Sequence, residues 1–455
     1  MNNGHIRCLR LKVNAIASPT LTYVLCSVLL SVNLGESLYG IAQLFGWLHS
    51  GHPQFRMTGS FYNPGPFACY LAVTFPMAVR YCIRPPRKYL KWLSVTVLTI
   101  NILLLPALMS RTAWFAALLG SVIVFSQEMH RKILSRTKTV ARTNAIMISA
   151  TIVILSAIVI VLYPIKKDSA DGRLLMWKVG ITAVSPSPFT GCGLDRVAGE
   201  YGNAQERYFA TGKGSPQDRK VADAPEYLFN EYLETSIAFG WGWGMLMIGV
   251  LMSAVSIAWS NGYVELAGSM ISASIVMAFS YPFQFPISVI TIGILLLAAF
   301  LSSTLMMTKA VGIVVCLALY LTVVRPNRSL ELNSIFSSAH ILHKTGKYRN
   351  SNDLLFHILP YTSDPMPLVI IGKNHRLLHN PDSAELYFRR ASYRCPNRFY
   401  PHYLLMQLYL DSMSLNPEKA VIEAETILSK EVKVPSPAIE EMRHEARRVL
   451  SELTQ

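Results

Sequence analysis

The chain has 455 residues, of which 51% are hydrophobic and only 15% charged, with a formal net charge of +15. Soluble domains carry about 25% charged residues, and separate runs of about 20 apolar residues are long enough to cross a bilayer. The composition therefore excludes a soluble globular enzyme and describes a polytopic membrane protein. Its Lys and Arg cluster beside the apolar runs, where they set orientation, so the basic excess implies a membrane partner and no nucleic acid. Of the seven cysteines, none shows CxxC or other metal-ligand spacing. Five lie in or beside apolar runs as small core residues, and Cys192 and Cys395 can pair only if both face one compartment.

In chain order, Arg7, Arg10 and Lys12 precede a first apolar run, Leu21 to Trp47, too long for a signal-peptide core. It carries Asn33 and Glu36, which are costly against lipid and are expected to face the bundle interior. A short loop, His49 to Pro64, leads to a second span, Pro66 to Ile83. The basic hairpin Arg84-Pro-Pro-Arg87-Lys88 precedes a third span, Tyr89 to Met109. Ser110-Arg111 turns into a fourth, Thr112 to Ser126. A loop with Arg131, Lys132, Arg136, Lys138 and Arg142 precedes a fifth, Asn144 to Tyr163. Four further spans are expected at Tyr232–Trp259, Tyr263–Tyr281, Pro286–Met307 and Lys309–Val324.

The two basic loops lie two spans apart, hence on one side, and the positive-inside rule makes that side the cytoplasm. Loop 49–64, the Ser110-Arg111 turn and the long polar stretch 164–230 then face outward, and nine spans leave the C-terminus outside. Beyond residue 327, helical periodicity returns with charges. Fragments around Ala339…Tyr348, Ala384…Tyr387…Ala391 and Ala420…Ala424 recur at about 34–45 residue spacing and resemble degenerate tetratricopeptide repeats, which bind peptides or proteins in a concave groove. The expected architecture is an all-α polytopic bundle over 1–326 with a large periplasmic loop at 164–230, followed by a periplasmic helical domain over 327–455.

Three polar sets fall on the outer face. Asn63-Pro-Gly-Pro reads equally as a helix start and as a functional turn. Arg111 stands at the mouth of two spans, either engaged in function or reaching to the interface. Gly172-Arg173-x-x-x-Trp177 joins Asn230-Glu231 in the large loop. Guanidinium forks bind phosphate oxygens bidentately and keep their charge when partly desolvated. Two of them at a membrane mouth suit a lipid diphosphate, whose growing negative charge they can stabilise without a metal or cofactor.

The ordered set Gly59-x-Phe61-x-Asn63-Pro64, Ser110-Arg111-x-Ala113-Trp114, Gly172-Arg173-x-x-x-Trp177, Pro188-Phe189-x-Gly191-x-Gly193, Asn230-Glu231-Tyr232-Leu233 and Gly240-Trp241-x-Trp243-Gly244 resembles the O-antigen ligase family, over about residues 20–310. That superfamily also includes O-antigen polymerases and bacterial O-oligosaccharyltransferases. The resemblance implies a metal-independent, inverting inner-membrane glycosyltransferase. It would move a glycan from undecaprenyl diphosphate to a periplasmic acceptor hydroxyl on lipid A core or protein. Arg111 and Arg173 would hold the diphosphate, Asn230 and Asn63 would position groups, and Trp177 would stack on sugar or pack. In place of the family's His base this chain has Phe229, so Glu231 is the candidate base, with Glu226, Glu234, His49 and His52 behind it. A second reading, from another class, is a non-catalytic membrane carrier or assembly scaffold whose tail recruits protein partners.

Overall fold

The computed structural model describes residues 3–134, 149, 167–323, 328–432 and 434–453. The expected fifth span and most of the second basic loop lie outside them. Every regular element among the described residues is helical. In chain order they are α1 (Asn3–Leu44), α2 (Pro64–Ile83), α3 (Lys88–Ala107), α4 (Arg111–Leu134), α5 (Lys167–Val184), α6 (Val197–Ala210), α7 (Pro216–Val221), α8 (Glu231–Phe239), α9 (Trp241–Ser260), α10 (Val264–Phe279), α11 (Pro286–Leu301), α12 (Met306–Val323), α13 (Ser329–Lys344), α14 (Tyr348–Ile358), α15 (Met366–Leu377), α16 (Pro381–Arg394), α17 (Tyr400–Tyr409), α18 (Pro417–Ser429) and α19 (Pro437–Leu453). The chain divides into two compact units. One holds Met1–Ile165, Phe229–Tyr232 and Met245–Arg325; the other holds Lys166–Leu228, Leu233–Gly244 and Pro326–Gln455.

Among the described residues, five stretches are long and apolar enough to cross a membrane: Thr20–Leu44, Pro64–Ile83, Lys88–Ala107, Arg111–Met129 and Trp241–Ser260. The expected last three spans appear as shorter apolar helices, Val264–Phe279, Pro286–Leu301 and Met306–Leu319. The run expected from Tyr232 to Trp259 is broken at Gly240, where φ is +93° and a Cβ would lie 2.5 Å from the Phe189 carbonyl oxygen. Only glycine fits there.

In the first unit α2 is the central helix: 78% of its apolar window is buried, against 22–44% for the other four crossing helices, which keep lipid-facing sides. Small residues let the backbones meet. A Cβ on Gly120 of α4 would lie 2.6 Å from the Gly268 carbonyl oxygen of α10, and Ser272 Oγ donates to the Ala116 carbonyl at 2.7 Å. Polar side chains satisfy one another inside. Asn33 Nδ2 donates to Thr74 Oγ1 at 2.7 Å, and Asn101 Nδ2 donates to Asn33 Oδ1 at 3.1 Å, joining α1, α2 and α3. At one end of the bundle Arg80 lies 2.7 Å from Glu128 and 3.7 Å from Glu265, and Arg84 lies 2.9 Å from Glu128.

In the second unit the loop helix α6 packs on α16 of the tail and on the turn at 359–361. The Arg394 side chain is 1% exposed, and its Nη2 lies 2.6 Å from Asn203 Oδ1 and 3.2 Å from Glu206 Oε2. Arg390 adds a 2.7 Å contact to the same Glu206, and Gln205 Nε2 donates to the Arg394 carbonyl at 2.6 Å. Gly199 lies so close to the Pro360 carbonyl that a Cβ would come within 2.1 Å of its oxygen. In the tail, Ala339, Ala384, Ala391, Ala420 and Ala424 are fully buried, and Gly372 receives the Phe388 ring. Cys192 and Cys395 are both free thiols.

Replacing Gly120 by Leu places a side chain against the α10 backbone. The expected outcome is a loss of about 3 kcal/mol or more, read as a lowered thermal midpoint in detergent. An unchanged midpoint would refute the close α4–α10 crossing.

Candidate active site

Several of the polar motifs meet at the end of the first unit opposite the Arg80–Glu128 cluster. Asn63 caps α2, its Oδ1 accepting the Gly65 amide at 2.9 Å with Pro64 at the first helical position. The Asn-Pro-Gly-Pro motif is thus a helix start, and Asn63 holds the loop that brings Phe61 inward. Phe61 is fully buried against Phe67, Tyr70 and Phe285. Phe285 reaches Tyr281 at 5.8 Å, and Tyr281 meets the edge of Phe229 at 4.9 Å. This chain of rings ties the first outer loop to the segment before α8.

Phe229, which stands where the family carries its His, adopts a left-handed conformation at φ +53°. Glu231 follows it and is 3% exposed; one of its carboxylate oxygens accepts the Phe283 amide at 2.8 Å. Tyr232 donates to the Ser274 carbonyl at 3.1 Å. Arg111 is the first residue of α4 and is half-buried, and the preceding Ser110 hydroxyl lies 3.9 Å from Cys69 of α2. The start of α2, the start of α4, the turn after α10 and residues 229–232 thus form one polar-rimmed, ring-lined end of the bundle, with Asn63, Arg111, Asn230 and Glu231 on it.

Arg173 and Trp177 belong to the second unit. They lie one turn apart on α5, both half-buried, and α5 packs through Leu175, Val179 and Ala183 on Tyr201, Phe209 and Val221. Gly180 admits the Leu233 side chain. The Pro188–Gly193 motif braces the end of α8: Cys192 donates to the Ile237 carbonyl at 3.0 Å, Gly193 to that of Ala238 at 2.8 Å, and Trp241 to that of Pro188 at 2.9 Å. Gly191, at φ +68°, lies where a Cβ would overlap the Ala238 carbonyl. The glycines of this motif therefore shape the loop and leave its chemistry to other residues.

The other candidate bases fall in different surroundings. Glu226 is exposed and accepts from the Tyr227 hydroxyl at 3.0 Å. His49 is exposed, and His52 Nδ1 accepts the Gln54 amide at 3.1 Å. Glu234, in α8 ahead of the spanning helix α9, is buried and accepts the Leu228 amide. Burial pushes its carboxyl up to about 7, partly offset by that amide. The charged groups Glu128 and Glu265, set inside the bundle with Arg80, were not singled out in the sequence. The available signal was an ionisable residue within an apolar run.

The folded chain holds the Glu234 proton more tightly than the unfolded chain. Folding is therefore favoured by this group below about pH 4.5 and progressively disfavoured as pH rises to 7, by about 3 kcal/mol in all. Glu234→Gln keeps an acceptor for Leu228 but removes the titration. Its thermal midpoint should change less between pH 5 and pH 8 than the wild type's, and equal slopes would contradict the burial effect.

Residues 93–248 match the family model described as O-antigen ligase. No curated protein and no solved structure matches the chain. The matched segment runs from α3 to the first part of α9 and takes in Arg111, Arg173, Trp177, Asn230 and Glu231. With its crossing helices, the chain is a multi-pass membrane protein whose segment 93–248 is similar to the O-antigen ligase family.

Proposed function

We propose that the protein transfers an undecaprenyl-diphosphate-linked oligo- or polysaccharide to an acceptor hydroxyl, on lipid A core or protein, at the periplasmic face of a bacterial inner membrane. The observation that carries the reading is the family match across both arginines and the Asn230-Glu231 pair. In the reaction the acceptor oxygen attacks the anomeric carbon from the face opposite the diphosphate. Glu231 takes the hydroxyl proton, the sugar–phosphate bond breaks, and undecaprenyl diphosphate leaves with its charge held by Arg111 and Arg173. The reading assigns that stabilisation to guanidiniums rather than to a metal. The Phe283 amide orients the Glu231 carboxylate, and Asn230 positions the substrate beside it. Trp177, one turn beyond Arg173, offers a face for a sugar ring.

The sidedness has independent support. The large loop and the tail belong to one compact unit, which supports a reading with both on one side of the membrane. Four apolar helices, α9 to α12, lie between them, and with all four crossing, as the sequence expects, the even number returns the chain to the side it left. A periplasmic loop therefore goes with a periplasmic tail.

Arg111→Lys, Arg173→Lys and Glu231→Gln should each lower transfer by roughly 10²-fold or more while the protein remains in the membrane. The measurement is the lipopolysaccharide and glycoprotein profile of complemented deletion cells, together with their lipid-linked donor, which should accumulate. Full transfer in Arg111→Ala and Arg173→Ala cells would overturn the assignment and favour the scaffold.

A further inference from the structure

The second unit holds a groove of about 940 Å³ between α7 of the large loop and the tail segments around α16–α19. Small-ligand sites occupy about 300–1,000 Å³, so the space suits several sugar rings. Among the described residues, four cations line it: Arg219 and Lys220 on α7, Arg398 before α17, and Lys430 just past α18. Two carboxylates also line it, and each is already engaged. Asp223 lies 3.6 Å from Arg398, and Glu431 lies 3.0 Å from Lys220.

The other two cations are held differently. The Arg219 guanidinium stacks on the Phe209 ring at 5.5 Å, and Lys430 Nζ donates to the Pro396 carbonyl. Burial pushes the Lys430 ammonium down to about 8, and the Arg219 charge presses the same way. Cys395 and Glu423 act against this, and Glu423 is itself bonded to His402 at 2.7 Å. His402 also lines the groove, and burial is the chief cause that lowers its imidazole from the ordinary value. Lys430, partly desolvated and with the exposed Arg219 charge pressing on it, gains from an arriving anion that the two cations share. Beside them Tyr393 and Tyr400, both half-buried, supply flat apolar surface with a polar edge.

We propose that this groove binds an acidic oligosaccharide, with its carboxylate or phosphate seated between Arg219 and Lys430 and its sugar rings against Tyr393 and Tyr400. The proposal rests on the glycan-transfer reading and adds to it the class of glycan, an anionic one. It also assigns the tail a ligand of its own. An acidic peptide would satisfy the cations equally, but the glycan-processing family and the ring-lined wall favour sugar.

The test uses the full-length protein in detergent and fluorescein-labelled tetragalacturonate, with binding read by anisotropy. Saturable binding is expected. Arg219→Gln and Lys430→Gln should each weaken it roughly tenfold, the size of one lost charge-assisted contact. Lys344→Gln makes the same charge change on α13 outside the groove and should leave affinity unchanged, and thermal midpoints report whether each variant folds. Any of three results overturns the proposal: equal binding of labelled maltotetraose, equal competition by a tetraglutamate peptide, or unchanged affinity in both groove variants. Because binding is read without transfer, the groove stands or falls separately from whatever Glu231→Gln does to the reaction.

Discussion

The buried ion pair between Arg394 and Glu206 is the constraint on which the second unit depends. Taking a guanidinium to 1% exposure is costly unless its donors are met. Here Asn203, Glu206 and the Thr362 carbonyl receive its Nη donors while its buried Nε is left without a partner, and Arg390 shares the load on Glu206. Removing one partner from such a pair costs about 3–5 kcal/mol, because the other charge stays buried. The pair fastens α6 to α16, and the Gly199 and Gly202 face of α6 sits directly on the 360–363 segment and on Arg394. Helix α5 packs on α6 through the same apolar cluster. Arg173 and Trp177 therefore stand on a helix whose footing is supplied by the tail. The loop has an apolar cluster of its own, and the tail adds Tyr393 at its edge and the ionic tie through Arg394.

The first unit solves a different problem. Its helices have lipid on one side, so specificity comes from close backbone contact and from polar groups satisfied inside. Gly120 and Gly268 allow the first; the Asn33–Thr74–Asn101 bonds and the Arg80–Glu128–Glu265 cluster do the second. The two ends of this bundle are chemically unlike. One is closed by ion pairs. The other is lined by rings and holds Glu231 against a backbone amide, an arrangement suited to a carboxylate that must be aimed.

Much of this was legible in the residues. Apolar length alone located the first four crossing helices, and Asn-Pro-Gly-Pro announced the start of α2 because its capping chemistry is local. The break at Gly240 was not legible, since a glycine within an apolar run reads as tolerated. What forbids a side chain there is the Phe189 carbonyl, some fifty residues away in sequence. The fragments around Ala339, Ala384 and Ala420 signalled close helix packing, and these alanines are buried. The union of loop and tail left no trace in the sequence, because Glu206 and Arg394 each look like ordinary surface charges. Of the candidate site, the residue types were readable from the motifs. The ring chain from Phe61 to Phe229 that gathers them was not, since it joins three segments with no shared periodicity.

The separation between Glu206 and Arg394 carries a consequence for biogenesis. The bonds that complete the second unit link positions 188 residues apart. As the chain is synthesised, α6 emerges long before the helix that covers it, with four apolar segments still to be inserted in between. Until α16 is made, the Glu206 face of α6 lacks its Arg394 partner, so this contact of the second unit forms only after the tail is synthesised. A premature stop before α16 would leave α6 without its Arg390 and Arg394 partners.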